Sequence, residues 1–412
     1  MKKYIILSAT LLFTLSYYGC NTEKKTPGRA ELKIITDRYS NLLDATVSMS
    51  GVPRRTDENG NLVTTDIYDW TSGFFAGTLW YIYEITGDEQ WKEEAVKWTE
   101  ILDTIQYWSG SHDVGFMINC SYGNGLRLTG NKAYEKVLIQ AAESLIQRYN
   151  PVAKSLESWD YRQAWDGSTD WYFPVIIDNM MNLELLFEAS RLSGNKRYAE
   201  IAIQHAATTM KNHYRDDFSS YHVVDYDTLT GEVLDKATCQ GLVDESAWAR
   251  GQAWGLYGFV TCYRYTLDET YLTFAGNIAD FLIDHPNLPS DKIPYWDYNV
   301  NDPGLKPEWN YNPSGFTEIP RDASAAAIMC SALFELSQYA VENGEKYEKA
   351  AHKILNSLSS PGYMSFEGKN QYFILNHSVG SIPHGVEIDV PLVYADYYFM
   401  ESLLRRSKSN AF

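Results

Sequence analysis

The sequence has few basic residues for its acidic content. Its 412 residues include 35 Lys and Arg against 53 Asp and Glu, which gives a formal net charge of −18 at pH 7. General binding to nucleic acid or to an anionic membrane surface needs a basic footprint. The charge balance therefore argues against both kinds of partner, and any anionic ligand must be held by a local group of residues.

Long hydrophobic runs are missing after the start of the chain. Two lysines precede an apolar run from Tyr4 to Tyr18, which is too short to span a bilayer but suits a secretory signal. The run ends at Gly19-Cys20, before a polar stretch, and so resembles a bacterial lipoprotein signal. We therefore expect a signal peptide at residues 1–19, a tether at residues 20–29 that is lipid-anchored at Cys20, and an exported protein that is periplasmic or associated with the outer membrane. An ordinary cleaved signal is the alternative.

Motifs for metals, cofactors and serine nucleophiles are also missing. The cysteines after the signal form no Cys-x-x-Cys pair, and we expect all four, at positions 120, 239, 262 and 330, to be small buried hydrophobic residues. No histidine spacing predicts a zinc site. The chain has neither a glycine-rich phosphate loop nor a Gly-x-Ser-x-Gly motif. We predict that the protein needs no metal and no organic cofactor.

An internal repeat is the clearest structural signal in the sequence. A turn with Gly, Asn or Asp, then an aromatic residue, then an amphipathic helix of about 15 residues recurs along the chain. The aromatic residues of the copies are Trp91, Tyr134, Tyr198, Tyr271 and Tyr347. Because apolar positions follow at helical spacing, each copy predicts a half-exposed outer helix.

A second set of helical segments is richer in small and aromatic residues. A helix that is apolar nearly all round is buried on several sides. Together with an opening outer helix at residues 30–43, these segments predict an all-α (α/α)6 toroid of six inner and six outer helices, a single domain over residues 30–412. The inner helices are expected at residues 72–85, 115–128, 175–192, 249–266, 321–340 and 393–406. Residues 219–240 depart from the pattern and predict a small β-hairpin insertion with a turn at Thr230-Gly231.

This topology predicts where a ligand binds. All six inner helices would begin at the same end, which collects unsatisfied N–H groups and the positive ends of six helix dipoles. Asp113 and Asp178 fall at that end. Two carboxylates in unequal environments can supply the proton donor and the charged group that glycosidic chemistry needs. The alternative is that each is a helix cap or an ion-pair partner.

Aromatic and basic residues at the same end predict a sugar pocket. Trp70, Trp248 and Trp254 can stack on pyranose rings, although Trp254 can equally belong to the core. Arg250 can hold a carboxylate with its guanidinium fork. The alternative for Arg250 is a structural role, in which it bonds to loop carbonyls.

Several motifs resemble the unsaturated glucuronyl hydrolases, glycoside hydrolase family 88. The specific ones are His-Asp-x-Gly-Phe at residues 112–116 and Ser-x-Trp-x-Arg-Gly-Gln-Ala-Trp at residues 246–254. Supporting motifs lie at residues 69–77, 177–182, 219–222, 321–327 and 394–401. The resemblance covers the chain from about residue 30 onward, and it implies the same (α/α)6 toroid that the repeat predicts independently.

The resemblance implies roles for particular residues. The general acid/base falls on Asp178 and the second pocket carboxylate on Asp113. The residues implied to line the pocket or to contact the unsaturated uronate are Trp70, His222, Gln240, Trp248, Arg250, Trp254 and Ser381. The implied partners are unsaturated glycosaminoglycan di- or oligosaccharides.

The implied reaction differs from ordinary glycoside hydrolysis. Polysaccharide lyases leave a C4=C5 double bond in the non-reducing uronic acid, so the substrate contains a vinyl ether. Asp178 would protonate C4, water would add at C5, and the hemiketal would open and expel the aglycone. Asp178 must then be protonated at rest. The helix N-terminus favours its charged form, whereas Asp113 and the substrate carboxylate disfavour it; we expect the carboxylates to prevail and to give a mildly acidic optimum.

Three alternatives keep the scaffold and change the function. The related unsaturated rhamnogalacturonyl hydrolases, family 105, catalyse the same reaction on pectin fragments. An inverting hydrolase or a polysaccharide lyase would act by different chemistry, the lyase on saturated polymer. A surface glycan-binding lipoprotein would bind without turnover. The motifs at residues 112–116 and 246–254 favour family 88.

Overall fold

The computed structural model describes residues 27–164, 167–307, 309–366 and 368–409. The predicted signal peptide at residues 1–19 and the predicted anchor Cys20 lie outside the described residues. The helices of the described part are α1 (Arg29–Thr46), α2 (Ser72–Thr86), α3 (Glu89–Glu100), α4 (Val114–Ile118), α5 (Asn124–Thr129), α6 (Lys132–Leu145), α7 (Leu183–Ser193), α8 (Lys196–Asn212), α9 (Ala249–Thr266), α10 (Glu269–Asp284), α11 (Ala323–Tyr339), α12 (Gly344–Leu358) and α13 (Val393–Ser409).

The helices form the predicted (α/α)6 toroid. The inner ring consists of α2, the pair α4–α5 joined by a π-helical turn at Asn119–Gly123, α7, α9, α11 and α13. Each inner helix contacts the next, and α13 contacts α2, which closes the ring. The outer helices α3, α6, α8, α10 and α12 pack against inner helices. In α2, α9 and α11 nearly every residue except those of the last turn is buried. This burial explains why these segments are apolar nearly all round.

The repeated turns explain how an inner helix reverses into an outer one. Three inner helices end on a glycine in the left-handed conformation, at Gly87, Gly130 and Gly194. Leu267 takes that conformation after α9, with φ of 56°. In all four turns the next residue is an Asp or Asn whose side chain accepts a hydrogen bond from the backbone of the outer helix, which caps that helix.

The third inner helix begins later than the sequence predicts. Residues 174–176 form a strand rather than the start of a helix, a 3₁₀ turn follows at Ile177–Met181, and α7 starts at Leu183. Pro174 and the β-branched residues after it favour extended backbone, and Val175 pairs with Val224 of the hairpin. The predicted hairpin is therefore the outer part of a three-stranded sheet.

Short hairpins fill the loops at the end where the inner helices begin. The strands are β1 (Val52–Thr56), β2 (Leu62–Thr65), β3 (Tyr149–Asn150), β4 (Ser155–Leu156), β5 (Arg162–Gln163), β6 (Asp170–Trp171), β7 (Pro174–Ile176), β8 (Val223–Tyr226), β9 (Val233–Ala237), β10 (Ser378–Ser381) and β11 (Val386–Val390). Apart from β7-β8-β9, they pair in two-stranded antiparallel sheets. The hairpins β1–β2 and β10–β11 are not predicted from the sequence.

Two predictions from missing features can be compared with the structure. Cys120, Cys239, Cys262 and Cys330 are all buried and free, which confirms that they pack as small hydrophobic residues. Among the described helices, none is both long and apolar enough to cross a membrane.

Candidate active site

A cavity of about 150 Å³ lies at the end of the toroid where the inner helices begin. This volume is small beside the roughly 300–1,000 Å³ of a typical small-molecule pocket, and it suits one terminal sugar better than a polymer. The residues around it are Arg54, Trp70, His112, Asp113, Trp159, Ile176, Asp178, Gln240, Arg250, Gly380, Ser381, Val386, Glu387 and Tyr394. Six of the predicted site residues are among them.

The fold brings these six together from distant parts of the chain. Trp70 precedes α2, Asp113 is the N-cap residue of α4, and Asp178 lies in the 3₁₀ turn before α7. Arg250 is in the first turn of α9, and Ser381 ends β10. Because the inner helices all begin at one end, residues at their starts converge there, as the topology predicts.

Asp178 carries the clearest electrostatic signature in the cavity. Its side chain is 13% exposed. Burial, opposed by the charge of Arg250 and assisted by that of Asp113, raises its pKa to about 7. The sequence analysis expects a raised pKa for Asp178 and gives neighbouring carboxylates as the cause, whereas in the structure the chief cause is burial.

His222 lies directly behind Asp178 and is neutral. Its Nδ1 accepts hydrogen bonds from the backbone N–H groups of Cys239 (3.0 Å) and Gln240 (3.2 Å). A ring nitrogen that accepts carries no hydrogen, so the hydrogen of the neutral imidazole is on Nε2. Nε2 lies 3.6 Å from Asp178 Oδ2. Burial lowers the pKa of His222 well below its ordinary value, so the ring can donate toward Asp178 but does not act as a cation.

Asp113 accepts a hydrogen bond through one oxygen and lies close to a histidine through the other. Oδ2 accepts a hydrogen bond from the Ser111 hydroxyl at 2.6 Å, and Oδ1 lies 3.3 Å from His112 Nε2. The side chain is 16% exposed. Ser111 therefore orients the Asp113 carboxyl, which stays partly open to solvent at the cavity.

Arg250 and Gln240 hold a hairpin in this structure. The two terminal nitrogens of Arg250 donate to the carbonyls of Val379 and Gly380, and Nη1 also lies 3.3 Å from Asp322 Oδ2. Gln240 Nε2 donates to the Gly380 carbonyl at 2.9 Å. The guanidinium fork is thus engaged with loop carbonyls, as in the structural alternative that the sequence leaves open, while Arg250 still borders the cavity. Its positive charge still faces Asp178.

The aromatic lining differs from the prediction. Trp70 borders the cavity, with its ring centroid 4.8 Å from that of Tyr394. Trp248 and Trp254 do not border it, because they are only 3% and 0% exposed. Trp248 stacks behind His222, with ring centroids 4.5 Å apart, and the Trp254 side chain lies close enough to Asp178 to act on its pKa. Both tryptophans therefore stand behind the cavity wall, and for Trp254 this agrees with the alternative of a core residue. The second lining tryptophan is Trp159.

Several lining residues are missed by sequence reasoning because they lie on hairpins. Arg54 in β1 donates to both oxygens of Glu387 in β11, at 2.5 and 3.1 Å, and also to Asp69. An Asn59-Gly60 turn between extended segments is a strong hairpin signal and would have located β1–β2. No periodic signal marks Trp159 or Glu387.

A larger cavity of about 720 Å³ lies at the opposite end of the ring and contains none of the predicted site residues. Its charged side chains pair with each other: Arg264 contacts Glu184 and Glu335, and Arg405 contacts Glu335. Within the described residues no three His, Cys, Asp or Glu side chains are arranged to hold a metal ion. The chemistry at the smaller cavity therefore has to be argued from its own side chains.

Known proteins resemble this chain over nearly its whole length. The sequence model of Glycosyl Hydrolase Family 88 matches residues 47–282. The chain belongs to glycoside hydrolase family 88. An unsaturated glucuronyl hydrolase of Formosa agariphila is 43% identical over 98% of each chain. The membership confirms the resemblance drawn from the motifs and makes the protein a glycosidase.

Solved structures of family 88 proteins share the fold. An unsaturated glucuronyl hydrolase specific for heparin superposes with a TM-score of 0.83 at 46% identity, over 92% of this chain and 98% of the other. An asparagine variant of the Streptococcus agalactiae enzyme, in complex with dGlcA-GalNAc6S, gives 0.73 at 28% identity, over 91% and 90%. Both are consistent with the closed helical ring.

Proposed function

We propose that this family 88 glycosidase removes the non-reducing 4,5-unsaturated glucuronic acid from glycosaminoglycan lyase products. The observation that carries the proposal is the Asp178 carboxyl. It is buried beside a cavity that suits one sugar, and its pKa is raised to about 7. Such a group can hold a proton at rest and release it during the reaction. The complex of a relative with dGlcA-GalNAc6S supports this class of substrate.

The reaction is a hydration of the C4=C5 vinyl ether. The Asp178 carboxyl gives its proton to C4, and the positive charge that results is shared by C5 and the ring oxygen. Asp178, now ionised, takes a proton from water as the water oxygen bonds to C5. The product is a hemiketal at C5, whose ring opens to a C5 ketone and a hemiacetal at C1. The hemiacetal breaks its bond to the aglycone oxygen, which leaves an aldehyde at C1 and releases the aglycone as an alcohol. Asp178 is protonated again at the end of the cycle.

The other residues of the cavity bind and stabilise. Asp113 holds the sugar and favours the positive charge that develops at C5. Trp70 and Trp159 form apolar walls for the ring. Arg250, held by the β10–β11 hairpin, adds positive potential toward the carboxylate of the substrate. Their contribution is to position the sugar, whereas the proton transfer belongs to Asp178.

The test uses purified enzyme and unsaturated disaccharides from chondroitin, hyaluronan and heparin. Loss of the ultraviolet absorbance of the C4=C5 bond reports the reaction directly. We expect turnover on at least one substrate, and a fall in kcat of about a thousandfold or more in Asp178→Asn. Asp88→Asn is the matched control, because it makes the same change at an exposed N-cap where Asn caps as well as Asp.

Three results would contradict the proposal. Activity only on unsaturated rhamnogalacturonan would move the enzyme to pectin fragments. An increase of absorbance on saturated polymer would indicate a lyase. Binding of unsaturated disaccharides without turnover, equally in wild type and Asp178→Asn, would indicate a glycan-binding protein.

We also propose that the protein is exported and anchored through a lipid on Cys20. The support is the pattern of two lysines, an apolar run and Gly19-Cys20 before a polar stretch. We expect radiolabelled palmitate to be incorporated in the native type of host, and the Cys20→Ala variant to lose the label and leave the membrane fraction. Equal labelling of the two proteins would contradict the anchor.

A further inference from the structure

A second buried histidine stands behind the second carboxyl of the cavity. His112 is fully buried, and its Nε2 lies 3.3 Å from Asp113 Oδ1. The opposite ring nitrogen, Nδ1, lies 3.3 Å from Asn182 Nδ2. The pairing of His112 with Asp113 thus has the same form as that of His222 with Asp178.

The orientation of the Asn182 amide is fixed by the backbone. The Phe116 N–H donates to Asn182 Oδ1 at 2.8 Å, so this atom is the oxygen and the group that faces His112 is the NH₂. Asn182 is itself fully buried. The close approach depends on Gly115, because a Cβ there would lie 2.5 Å from Asn182 Oδ1.

The amide orientation determines the tautomer of His112. Since Asn182 Nδ2 can only donate, Nδ1 of the ring accepts and the hydrogen of the neutral imidazole lies on Nε2. Burial lowers the pKa of His112, while Asp113 and the Asn179 side chain act in the opposite direction. A neutral ring with its hydrogen on Nε2 is the form that can donate toward Asp113.

We propose that Asn182 and His112 are positioning residues that orient the Asp113 carboxyl toward the sugar, with Asn182 selecting the tautomer and His112 presenting Nε2–H to Oδ1. The inference rests on the proposed function of the cavity. Ser111 donates a hydrogen bond to the other oxygen of Asp113, and His112 Nε2 lies 3.3 Å from Oδ1, so in this proposal His112 limits rotation of the carboxyl on the side that Ser111 leaves open. With one contact removed, Asp113 can rotate away from the substrate.

The first test replaces His112 by two side chains of equal length. In His112→Gln the amide NH₂ takes the place of Nε2–H, whereas His112→Met fills similar space without a donor. We expect kcat of His112→Gln to stay within about tenfold of wild type and that of His112→Met to fall by about a hundredfold, the scale of a misplaced catalytic group. Equal losses in the two variants would overturn the proposal.

The second test repeats the pair with Asp113→Asn, at enzyme concentrations that allow single turnovers to be followed. If His112 acts only through Asp113, removing Asp113 also removes whatever His112 contributes. The Gln and Met variants should then have the same rate in the Asp113→Asn background. A hundredfold difference that persists without Asp113 would overturn the proposal. Thermal unfolding of each variant separates loss of fold from loss of rate.

The third test does not depend on turnover. The ¹⁵N resonances of the His112 ring, assigned by their absence in His112→Gln, should show hydrogen on Nε2 in wild type and a loss of that preference in Asn182→Leu. Asn124→Leu is the matched control, because Asn124 is a buried amide at the start of α5 that donates to the Cys120 carbonyl and the Tyr397 hydroxyl. Hydrogen on Nδ1 in the wild type would overturn the proposal. If the enzyme is inactive on every unsaturated substrate, the proposed function fails while this readout still decides the geometry.

Discussion

At the level of single residues, the difference between Asp178 and other buried carboxyls is access. Burial also raises the pKa of Asp396 to about 7, but that carboxyl accepts hydrogen bonds from the backbone N–H groups of Ile374 and Leu375 at 2.9 Å each and lines neither of the two cavities described above. Asp178 has the same pKa, an unpartnered Oδ2 and a cavity of one-sugar size. A perturbed pKa indicates function only together with such geometry.

The pKa of Asp178 predicts the alkaline side of the activity profile. Because the acid form is required, kcat/KM should fall as pH rises through about 7. The negative charge of Asp113 raises this pKa, so the residual activity of Asp113→Asn should decline at lower pH than that of wild type. The measurement is kcat/KM against pH for both proteins at constant ionic strength. A decline at higher pH in the variant would contradict the assignment.

The different burial of Trp254 and Trp159 predicts different effects of substitution. Trp254 is fully buried, so Trp254→Ala should destabilise the fold by about 3–5 kcal/mol. Trp159→Ala, at a half-buried lining residue, should cost little stability and should raise KM. Denaturant unfolding and steady-state kinetics of the two variants check this. Comparable destabilisation by both would show that Trp159 belongs to the core.

Sequence reasoning finds most of the cavity residues at helix starts, but of those on hairpins it finds Ser381 and misses Arg54 and Glu387. Asp113 and Asp178 could be placed because the toroid determines where inner helices begin. The residue types of Arg250 and Gln240 also fit, but their partners, the carbonyls of Val379 and Gly380, come from a hairpin that shows no periodic signal. Contacts across more than a hundred residues are therefore the part that the pattern does not reveal.

At the level of elements, the turns between inner and outer helices share one geometry with one exception. Gly87, Gly130 and Gly194 occupy the left-handed position without cost, whereas Leu267 adopts it with a side chain that is 70% exposed. A residue with a Cβ pays about 1–2 kcal/mol in this conformation. The turn after α9 is therefore strained where the other three are not.

Replacing Leu267 should relieve that strain. We expect Leu267→Gly to raise the free energy of unfolding by about 1 kcal/mol, because the exposed side chain contributes little packing. Leu229→Gly is the control, since Leu229 is 85% exposed and does not have a positive φ; it should not stabilise the protein. Denaturant unfolding of both variants measures the difference. A loss of stability in Leu267→Gly would contradict the strain.

The start of the third inner helix shows why an element boundary escaped prediction. The apolar pattern continues from Val175 into α7, so periodicity alone extends the helix backwards. Pairing with β8 and the 3₁₀ turn at Ile177–Met181 interrupt it. That interruption places Asp178 in a 3₁₀ turn beside the cavity instead of inside an α-helix.

At the level of the whole molecule, buried titratable groups of two kinds oppose each other in the dependence of stability on pH. Burial lowers the pKa of His205 to about 3 and that of His213 to about 4. At low pH the unfolded chain binds more protons than the native one. Because of these histidines, the free energy of unfolding therefore decreases as pH falls below about 6.5. Asp178 and Asp396 have raised pKa values and act in reverse, because their stabilising contribution is lost as pH rises toward about 7.

Single replacements should separate the two terms. Relative to wild type, the penalty of His205→Gln should be smaller at pH 5 than at pH 7 by about 2 kcal/mol. The penalty of Asp396→Asn should be larger at pH 5 than at pH 7 by a similar amount, about 2 kcal/mol. Urea unfolding of the three proteins at both pH values gives these differences. A change of the same sign in both variants would contradict the assignment.

The closed ring also sets the order in which the molecule can become active. Arg54 and Glu387, which bond to each other at the edge of the cavity, are 333 residues apart in sequence, and α13 closes the ring against α2. A nascent chain therefore has no complete cavity until its last hairpin and last helix have left the ribosome and docked. Contacts of such high sequence separation form slowly. Catalytic activity consequently requires the residues from 378 onward. A chain that terminates before residue 378 would lack one wall of the cavity and the helix that closes the ring, and would be inactive.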